Sequence, residues 1–299
     1  MSNSTTADPS GPLSASPTST GITCRGISSG YRGKRVLDGI TFSIDEPSIY
    51  VVLGPNGAGK TTLFRTLAGI LPLSAGEATV GGSPLDAQSA RDQMHYLSHM
   101  DGIPDGLTVR ESLEFYAQVE RATSADVDRV MEMLEIRELS GQFLSKLSAG
   151  QRKRVSIARI FLHERAIYLL DEPTANLDPK VAREIRTLIL NLSRQKIVLY
   201  SSHNLFEARE IGRYVLVLKQ GRLALFDRIE NIRSARFIIG IRFLDGPTEL
   251  PGFSRQGDYF LKELDGPEGV PAVLQDLEKQ GLKIREAREM ENPLEDLFA

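Results

Sequence analysis

Five apolar or aromatic residues, Ile49-Tyr50-Val51-Val52-Leu53, run straight into Gly54-Pro55-Asn56-Gly57-Ala58-Gly59-Lys60-Thr61-Thr62, and this junction dictates much of what the chain can become. A continuous apolar run of that length suits a strand buried on both faces of a parallel sheet. The spacing then predicts a helix from Lys60 to about Ala68, ended by Gly69. Between strand and helix, Gly54, Gly57 and Gly59 let backbone N–H groups point inward, through dihedrals and close approaches that a Cβ would obstruct. A nest of N–H groups at a helix N-terminus binds anions, phosphate above all. Lys60 is placed to reach β- and γ-phosphates as a point charge, and the Thr61 hydroxyl to ligate Mg²⁺. From average residue usage, GxxxxGK[ST] arises by chance in roughly 1 chain in 100 of this length, which leaves a mere Gly-rich turn well behind.

At 299 residues there is room for one large domain and a small one, with ample core. The balance of 36 Lys+Arg against 39 Asp+Glu gives −3, so no global basic surface calls for nucleic acid and none is expected as a partner. The single cysteine, Cys24, excludes an internal disulfide, fits a reducing compartment and reads as a small core hydrophobe. No apolar run approaches the ~20 residues that span a bilayer, and the N-terminus lacks the basic-then-apolar order of a signal peptide. The expectation is a chain soluble by itself.

Residues 1–20 are mostly Ser, Thr, Pro, Gly and Ala, too poor in apolar surface to offset the entropy of ordering, and read as a disordered tail. Strand-like pieces at Ile22 to Ile27 and Gly39 to Ile44 follow, separated by a polar loop, 28–35, that carries Tyr31. Tyr31 could stack on a base or merely cover a hydrophobic edge. Leu73 to about Ser89 reads as strand and turn, and Met94 to His99 as a short strand. Residues from about 100 to 162 change to helical spacing and form a helical subdomain, with apolar residues at helical spacing in Thr108 to Tyr116 and in Ala125 to Leu134. Past Ile229 the alternation of helix and strand breaks. Phe237 to Phe243 reads as strand, Val270 to Gln280 as helix, Leu282 to Ala287 as strand and Pro293 to Phe298 as a closing helical turn, so residues 231–299 are expected to form a small α+β appendage.

Three further places carry chemistry. Ser148, with Gln151 three residues on, is a capping-box pattern that starts a helix whose first turn holds Arg152, Lys153 and Arg154, cations where the macrodipole disfavours them. That combination reads as an anion site, the alternative being a solvated basic face. Ala166 to Leu170 is a second buried strand ending in Asp171-Glu172-Pro173, and adjacent carboxylates at a strand end are costly unless used. Beside a phosphate loop, Asp171 suits Mg²⁺ and Glu172 suits polarising a water for attack on phosphorus. A turn at Ala175-Asn176-Leu177-Asp178 precedes a helix through Leu192, and Lys196 to Tyr200 is a third buried strand. It ends in Ser201-Ser202-His203, which puts His203 where open α/β sheets bind ligands; Tyr214 to Leu218 is a fourth strand.

Taken together, the Gly54 to Thr62 loop, Leu147-Ser148-Ala149-Gly150-Gln151, Asp171-Glu172-Pro173, the 175–178 turn and His203 resemble, in order and spacing, the ATP-binding subunits of ABC transporters over residues 22–227. The resemblance implies an α/β P-loop ATPase core, 21–230, with a mainly parallel sheet, an N-terminal antiparallel β piece and the helical subdomain. It implies ATP and Mg²⁺ as cofactors, the nucleotide being held by Gly54, Pro55, Asn56, Gly57, Ala58, Gly59, Lys60, Thr61 and Thr62, with adenine on Tyr31. Mg²⁺ falls to Thr61 and Asp171, the catalytic base to Glu172 and a γ-phosphate contact to His203. Two such subunits, here a homodimer, would pack head to tail, with Ser148, Gly150 and Gln151 of one meeting the nucleotide of the other. A polytopic membrane permease is implied as partner, which places the chain at the cytoplasmic face of the membrane. The stretch Asp105 to Leu113 and the ending Asn292 to Phe298 are similar to the exporter branch that carries drugs, polysaccharides and lipids. His99 stands where the family usually has Gln, with Ala149 for Gly and Ala175-Asn176 for Ser-Gly; with Leu-Ser-Ala-Gly-Gln, His99 is similar to haem-export subunits, which are typically shorter at the C-terminus. His99 either holds the attacking water or the metal's hydration shell, or only ends a strand.

Overall fold

The computed structural model describes residues 21–98, 105–232, 237–245, 247, 249–264 and 269–289. The N-terminal tail, His99 and the closing turn at 293–298 lie outside the described residues.

The chain opens with a hairpin, β1 (Ile22–Tyr31) and β2 (Lys34–Ile44), in which Tyr31 faces Lys34 across the two-residue turn Arg32-Gly33. The polar loop expected over 28–35 is therefore mostly strand. Its small polar residues are used inside the sheet: Ser29 Oγ donates to the Pro72 carbonyl at 2.9 Å, and Ser28 Oγ accepts the Gly39 N–H at 3.1 Å. At Gly30 a Cβ would sit 2.0 Å from the Lys34 carbonyl oxygen, so only Gly fits there. Arg32 and Gly33 both lie in the left-handed region, φ 48 and 79, which a type I′ turn requires.

Next come β3 (Ser48–Leu53), α1 (Lys60–Leu67), β4 (Leu73–Val80), β5 (Ser83–Pro84), a single turn α2 (Gln88–Arg91) and β6 (Met94–Leu97). The helical subdomain supplies α3 (Val109–Glu120), α4 (Ser124–Met133) and α5 (Ala149–Ile160). The chain returns through β7 (Ile167–Asp171), α6 (Pro179–Leu192), β8 (Ile197–Ser202), α7 (Leu205–Ile211), β9 (Tyr214–Lys219), β10 (Arg222–Arg228) and α8 (Ile229–Ile232). The remainder holds β11 (Phe237–Phe243), β12 (Ser254–Gln256), β13 (Tyr259–Leu264), α9 (Val270–Lys279) and β14 (Ile284–Glu289). Sequence periodicity missed α7, β10, β12 and β13.

β3 is the centre of a six-stranded sheet ordered β10-β9-β3-β8-β7-β6, parallel except where β10 returns beside β9. Its alternation explains the unbroken apolar run. Ile49, Val51 and Leu53 enter one core with Leu170, Val198 and Val217, while Tyr50 and Val52 enter a second with Phe64, Leu67 and Leu199. Each fully buried Val, Leu or Ile contributes about 1.5–3 kcal/mol, so the strand carrying the Gly-rich loop is among the best anchored parts of the chain. The hairpin with β4 and β5 forms an antiparallel sheet, order β2-β1-β4-β5, sharing the second core. The C-terminal residues form a four-stranded antiparallel sheet, β12-β13-β11-β14, whose buried residues Ile239, Ile241, Phe243, Phe260, Val273 and Leu277 cluster around α9. Among the described residues no helix is long and apolar enough to cross a membrane.

Candidate functional site

Each glycine of the 54–59 loop has its own reason. Gly54 passes so close to β9 that a Cβ would lie 2.6 Å from the Leu218 carbonyl oxygen, while Gly57 and Gly59 stand at φ 83 and 108. Gly59 caps α1, so the helix begins with its N–H groups turned into the loop. Lys60 is 6 % exposed, and its Nζ donates to the Gly54 carbonyl at 2.7 Å and to that of Pro55 at 3.3 Å. Burial draws its pKa below the usual lysine range, against the pull of Glu172 and Asp171. Thr61 is half-buried and Thr62 buried at the start of α1, whereas Pro55, Asn56 and Gly57 are exposed. The loop thus offers backbone donors and one sheltered cation in a single concavity, a phosphate cradle.

The two carboxylates at the end of β7 are held by β8. Ser201 Oγ donates to Asp171 Oδ1 at 2.7 Å and accepts the Glu172 N–H at 2.8 Å. Asp171 is fully buried, and its Oδ2 has no hydrogen-bond partner among the described residues. A buried carboxylate oxygen with an open lone pair fits a hard cation, which needs one or two carboxylates and completes its shell with phosphate and water. Glu172 sits in the left-handed region at φ 49, and its side chain, 18 % exposed, turns toward the loop. Its Oε1 lies 3.7 Å from Lys60 Nζ and 3.5 Å from His203 Nδ1. The fold therefore brings Lys60, Glu172 and His203 around one carboxylate oxygen. His99 lies outside the described residues and receives no place in this geometry.

Glu172 and His203 face a cavity of about 790 Å³ that Asn56, Ala175, Asn176 and Glu207 also line. Asp178 closes the turn above α6, its Oδ1 accepting the N–H groups of Lys180 and Val181 at 3.1 Å. Sequence reasoning missed Thr174, Arg186 and Glu207 in this wall, and Tyr200 buried behind it. The spacing of Leu205, Ala208 and Ile211, all buried, would have signalled the helix that carries Glu207.

Tyr31 is 37 % exposed at the tip of the hairpin, and its hydroxyl accepts from Arg65 at 3.2 Å, which ties it to the helix that follows the phosphate cradle. Ser148 caps α5 as expected: its Oγ accepts the Gln151 N–H at 3.3 Å, and Gln151 Oε1 accepts the Ser148 N–H at 3.0 Å. The cations of that turn do not serve the terminus. Arg152 pairs with Asp105 at 2.6 Å and Arg154 with Glu184, so the charge of both arginines is matched inside the chain, and Lys153 is buried. An anion here would meet Ser148, Gly150 and the helix N-terminus, with two of the three cations already paired elsewhere. Ser148, Gly150 and Gln151 do not line the cavity of Glu172 and His203.

Residues 37–175 match the sequence family described as ABC transporter. The chain is 36% identical over 172 residues to a cytochrome c biogenesis ATP-binding export protein, CcmA, of Paracoccus denitrificans, covering 57% of this chain and 77% of that one. It is 30% identical over 237 residues to an sn-glycerol-3-phosphate import ATP-binding protein, UgpC, of Cereibacter sphaeroides, covering 76% of this chain and 67% of that one. A solved structure described as an ATP binding subunit of an ABC transporter superposes with a TM-score of 0.65 at 25% identity, covering 71% of this chain and 91% of that one.

Proposed function

The chain belongs to the family of ABC transporter ATP-binding proteins and is an ATPase, and on that footing we propose that two copies close around ATP and thereby drive a polytopic membrane permease at the cytoplasmic face of the membrane. The observation that carries this reading is the placement of Glu172 Oε1 between Lys60 Nζ, 3.7 Å away, and His203 Nδ1, 3.5 Å away, beside the phosphate cradle.

Each residue has a role in the proposed cycle. The N–H groups of Gly57, Ala58, Gly59 and Lys60 bind phosphate oxygens. Lys60 exchanges the Gly54 and Pro55 carbonyls for phosphate, and Tyr31 stacks on adenine. Thr61 and Asp171 would hold Mg²⁺, which would neutralise phosphate charge when bound. Glu172 accepts a proton from water as the water oxygen bonds to the γ-phosphorus and the bond to the bridging oxygen breaks, leaving ADP. His203 orients the γ-phosphate. Ser148 and Gly150 of the second copy complete the site from outside, consistent with their absence from the cavity wall of their own chain. We read residues 231–299 as a unit distinct from this ATP-binding core.

The two named relatives are an export and an import protein; we favour export because Asp105 to Leu113 is similar to the exporter branch. Isolation of the full-length chain from solubilised membranes is expected to return a polytopic membrane protein that alters its ATPase rate. A chain that performs its cellular task with no membrane partner in any fraction would replace this reading with that of a soluble assembly or regulatory ATPase.

A further inference from the structure

In the wall of the catalytic cavity, the Glu207 carboxylate gathers side chains from three other segments. Its Oε1 accepts the Tyr200 hydroxyl at 2.7 Å, and the Thr174 hydroxyl reaches the same oxygen. Its Oε2 accepts from Ser202 Oγ at 2.6 Å. The guanidinium of Arg186, on α6, stands 3.6 Å from Oε1 and pairs with Glu210 at 3.0 Å. A carboxylate this enclosed is unfavourable unless its lone pairs are filled and its charge is matched. Three hydroxyls and a guanidinium do both.

The donors lead to the two ends of the reacting constellation. Ser202 precedes His203, and its Oγ also accepts the Asn204 N–H at 2.9 Å. A hydroxyl has one proton, and because Ser202 gives it to Glu207, its lone pairs are left to Asn204. Both chain neighbours of His203 are thus held by one hydroxyl that Glu207 orients. Thr174 lies two residues past Glu172, where the Ala175 N–H closes back on the Glu172 carbonyl at 3.3 Å. The Tyr200 hydroxyl lies 2.6 Å from that of Thr174, and since each has a single proton, the two hydroxyls and Glu207 Oε1 share two hydrogen bonds over three contacts.

The geometry points to Glu207 as a positioning residue for ATP hydrolysis: by holding Ser202 on one side and Thr174 on the other, its carboxylate sets where His203 and Glu172 stand. This rests on the roles given above to Glu172 and His203. Glutamine cannot replace it. An amide keeps one acceptor oxygen and gains two N–H donors, so either Ser202 or the Tyr200 and Thr174 pair loses its acceptor.

The test uses the full-length chain and measures kcat, KM and ATP affinity for wild type, Glu207→Gln, Glu207→Asp, Ser202→Ala, the Glu207→Gln/Ser202→Ala double variant and Glu172→Gln. Glu207→Gln is expected to lower kcat by about 10–100-fold with ATP affinity within about twofold, because the phosphate cradle is untouched. Ser202→Ala should lose a comparable factor. The double variant should lose less than the product of the two, since one residue acts through the other. Glu207→Asp should recover part of kcat. A wild-type kcat in Glu207→Gln, a joint loss of affinity and kcat, or fully multiplicative losses would each overturn the inference. Should Glu207→Gln not fold, Ser202→Ala decides alone, an unchanged kcat overturning it. Full turnover in Glu172→Gln would remove the underlying base assignment, whereas an inactive Glu172→Gln beside an unaffected Glu207→Gln removes only this inference.

Discussion

His203 Nδ1 stands 3.5 Å from Glu172 Oε1 although the two residues leave the ends of different strands, β8 and β7. Parallel pairing that sets Asp171 opposite Ser201 brings them within one residue of level, each one residue past the end of its strand. Replacing Glu172 with Gln keeps the size of the side chain and removes its basicity. Hydrolysis is expected to fall by roughly 10²–10⁴ while ATP affinity survives, because the cradle is built by the loop and Lys60. Steady-state ATPase and nucleotide titration on one preparation check it, and an ATP-locked dimer should accumulate in size-exclusion runs.

The composite site makes a separate claim about Lys60 and Ser148. Lys60→Ala removes the one sheltered charge of the loop and should abolish tight ATP binding by the isolated subunit. Ser148→Arg should leave that binding intact and block ATP-driven dimerisation, since Ser148 does not line its own chain's cavity. Binding by monomeric protein, followed by light scattering with ATP, separates the two. Loss of ATP by Ser148→Arg monomers as complete as in Lys60→Ala would place both motifs on one nucleotide within one subunit.

Ser201 is the link between the carboxylates, and its removal has two expected signatures. Ser201→Ala strands Asp171 Oδ1 and the Glu172 N–H, now held at 2.7 and 2.8 Å. A buried polar group left unsatisfied costs about 1–3 kcal/mol, which urea unfolding should register. Glu172 also keeps a left-handed backbone at φ 49, a conformation that costs on the order of 1–2 kcal/mol and depends on its surroundings. kcat should therefore fall with little change in ATP affinity, and Ser201→Thr, which restores the hydroxyl, should recover both quantities.

The strand, loop and helix from Ile49 to Leu67 were legible because each level agrees there: an apolar run, glycines at the required positions and a helix start. Ser148 and Gln151 were legible for the same reason, a local pattern with a local bond. The failures are tertiary. Ser28, Ser29 and Gly30 read as loop because their composition is polar and small, yet they are strand residues: the serine hydroxyls bond Gly39 and Pro72, and the missing Cβ of Gly30 makes room for Lys34 on the facing strand. Arg152 and Arg154 read as free cations because Asp105 and Glu184, which match them, lie far along the chain. Glu207 was invisible for the same cause: the hydroxyls that define it come from Thr174, Tyr200 and Ser202, and no spacing announces them.

Stability should fall with acid through His95. Its ring is buried, with Nε2 donating to the His163 carbonyl at 2.7 Å; burial pushes its pKa down to about 4, with help from the Arg165 charge, against the opposing pull of that hydrogen bond and of Glu120. The folded state thus keeps a neutral ring that the unfolded chain protonates near pH 6.5. Between about pH 6.5 and 4 the unfolded state binds more protons, so stability declines as pH drops, by up to about 1.4 kcal/mol per pH unit from this residue. Below pH 4 both states are protonated and the contribution is gone. Urea unfolding at pH 7.5, 6 and 5 should show a flatter decline in His95→Gln than in wild type, and parallel declines would remove His95 as the cause.

The permease reading makes its sharpest claim on α3. Arg110 and Glu111 look exposed in sequence, but Arg110 is paired with Asp128 at 2.6 Å and Glu111 caps the helix, accepting the Thr108 N–H at 2.8 Å. Reversing either charge would therefore also disturb a contact within the subdomain. Phe115 and Val119 are different: one helical turn apart, they are 52% and 64% exposed, an apolar pair on a helix whose buried residues are Val109, Ser112, Leu113 and Ala117. Large apolar side chains kept adjacent in water suit a partner surface. Phe115→Ser with Val119→Ser should leave the ATPase rate of the isolated chain within about twofold and its stability nearly unchanged, because surface substitutions away from special features shift stability by only about 0.5 kcal/mol. The same pair should lower recovery of the membrane partner and its effect on the ATPase rate. Undiminished recovery and stimulation would move the dock away from α3.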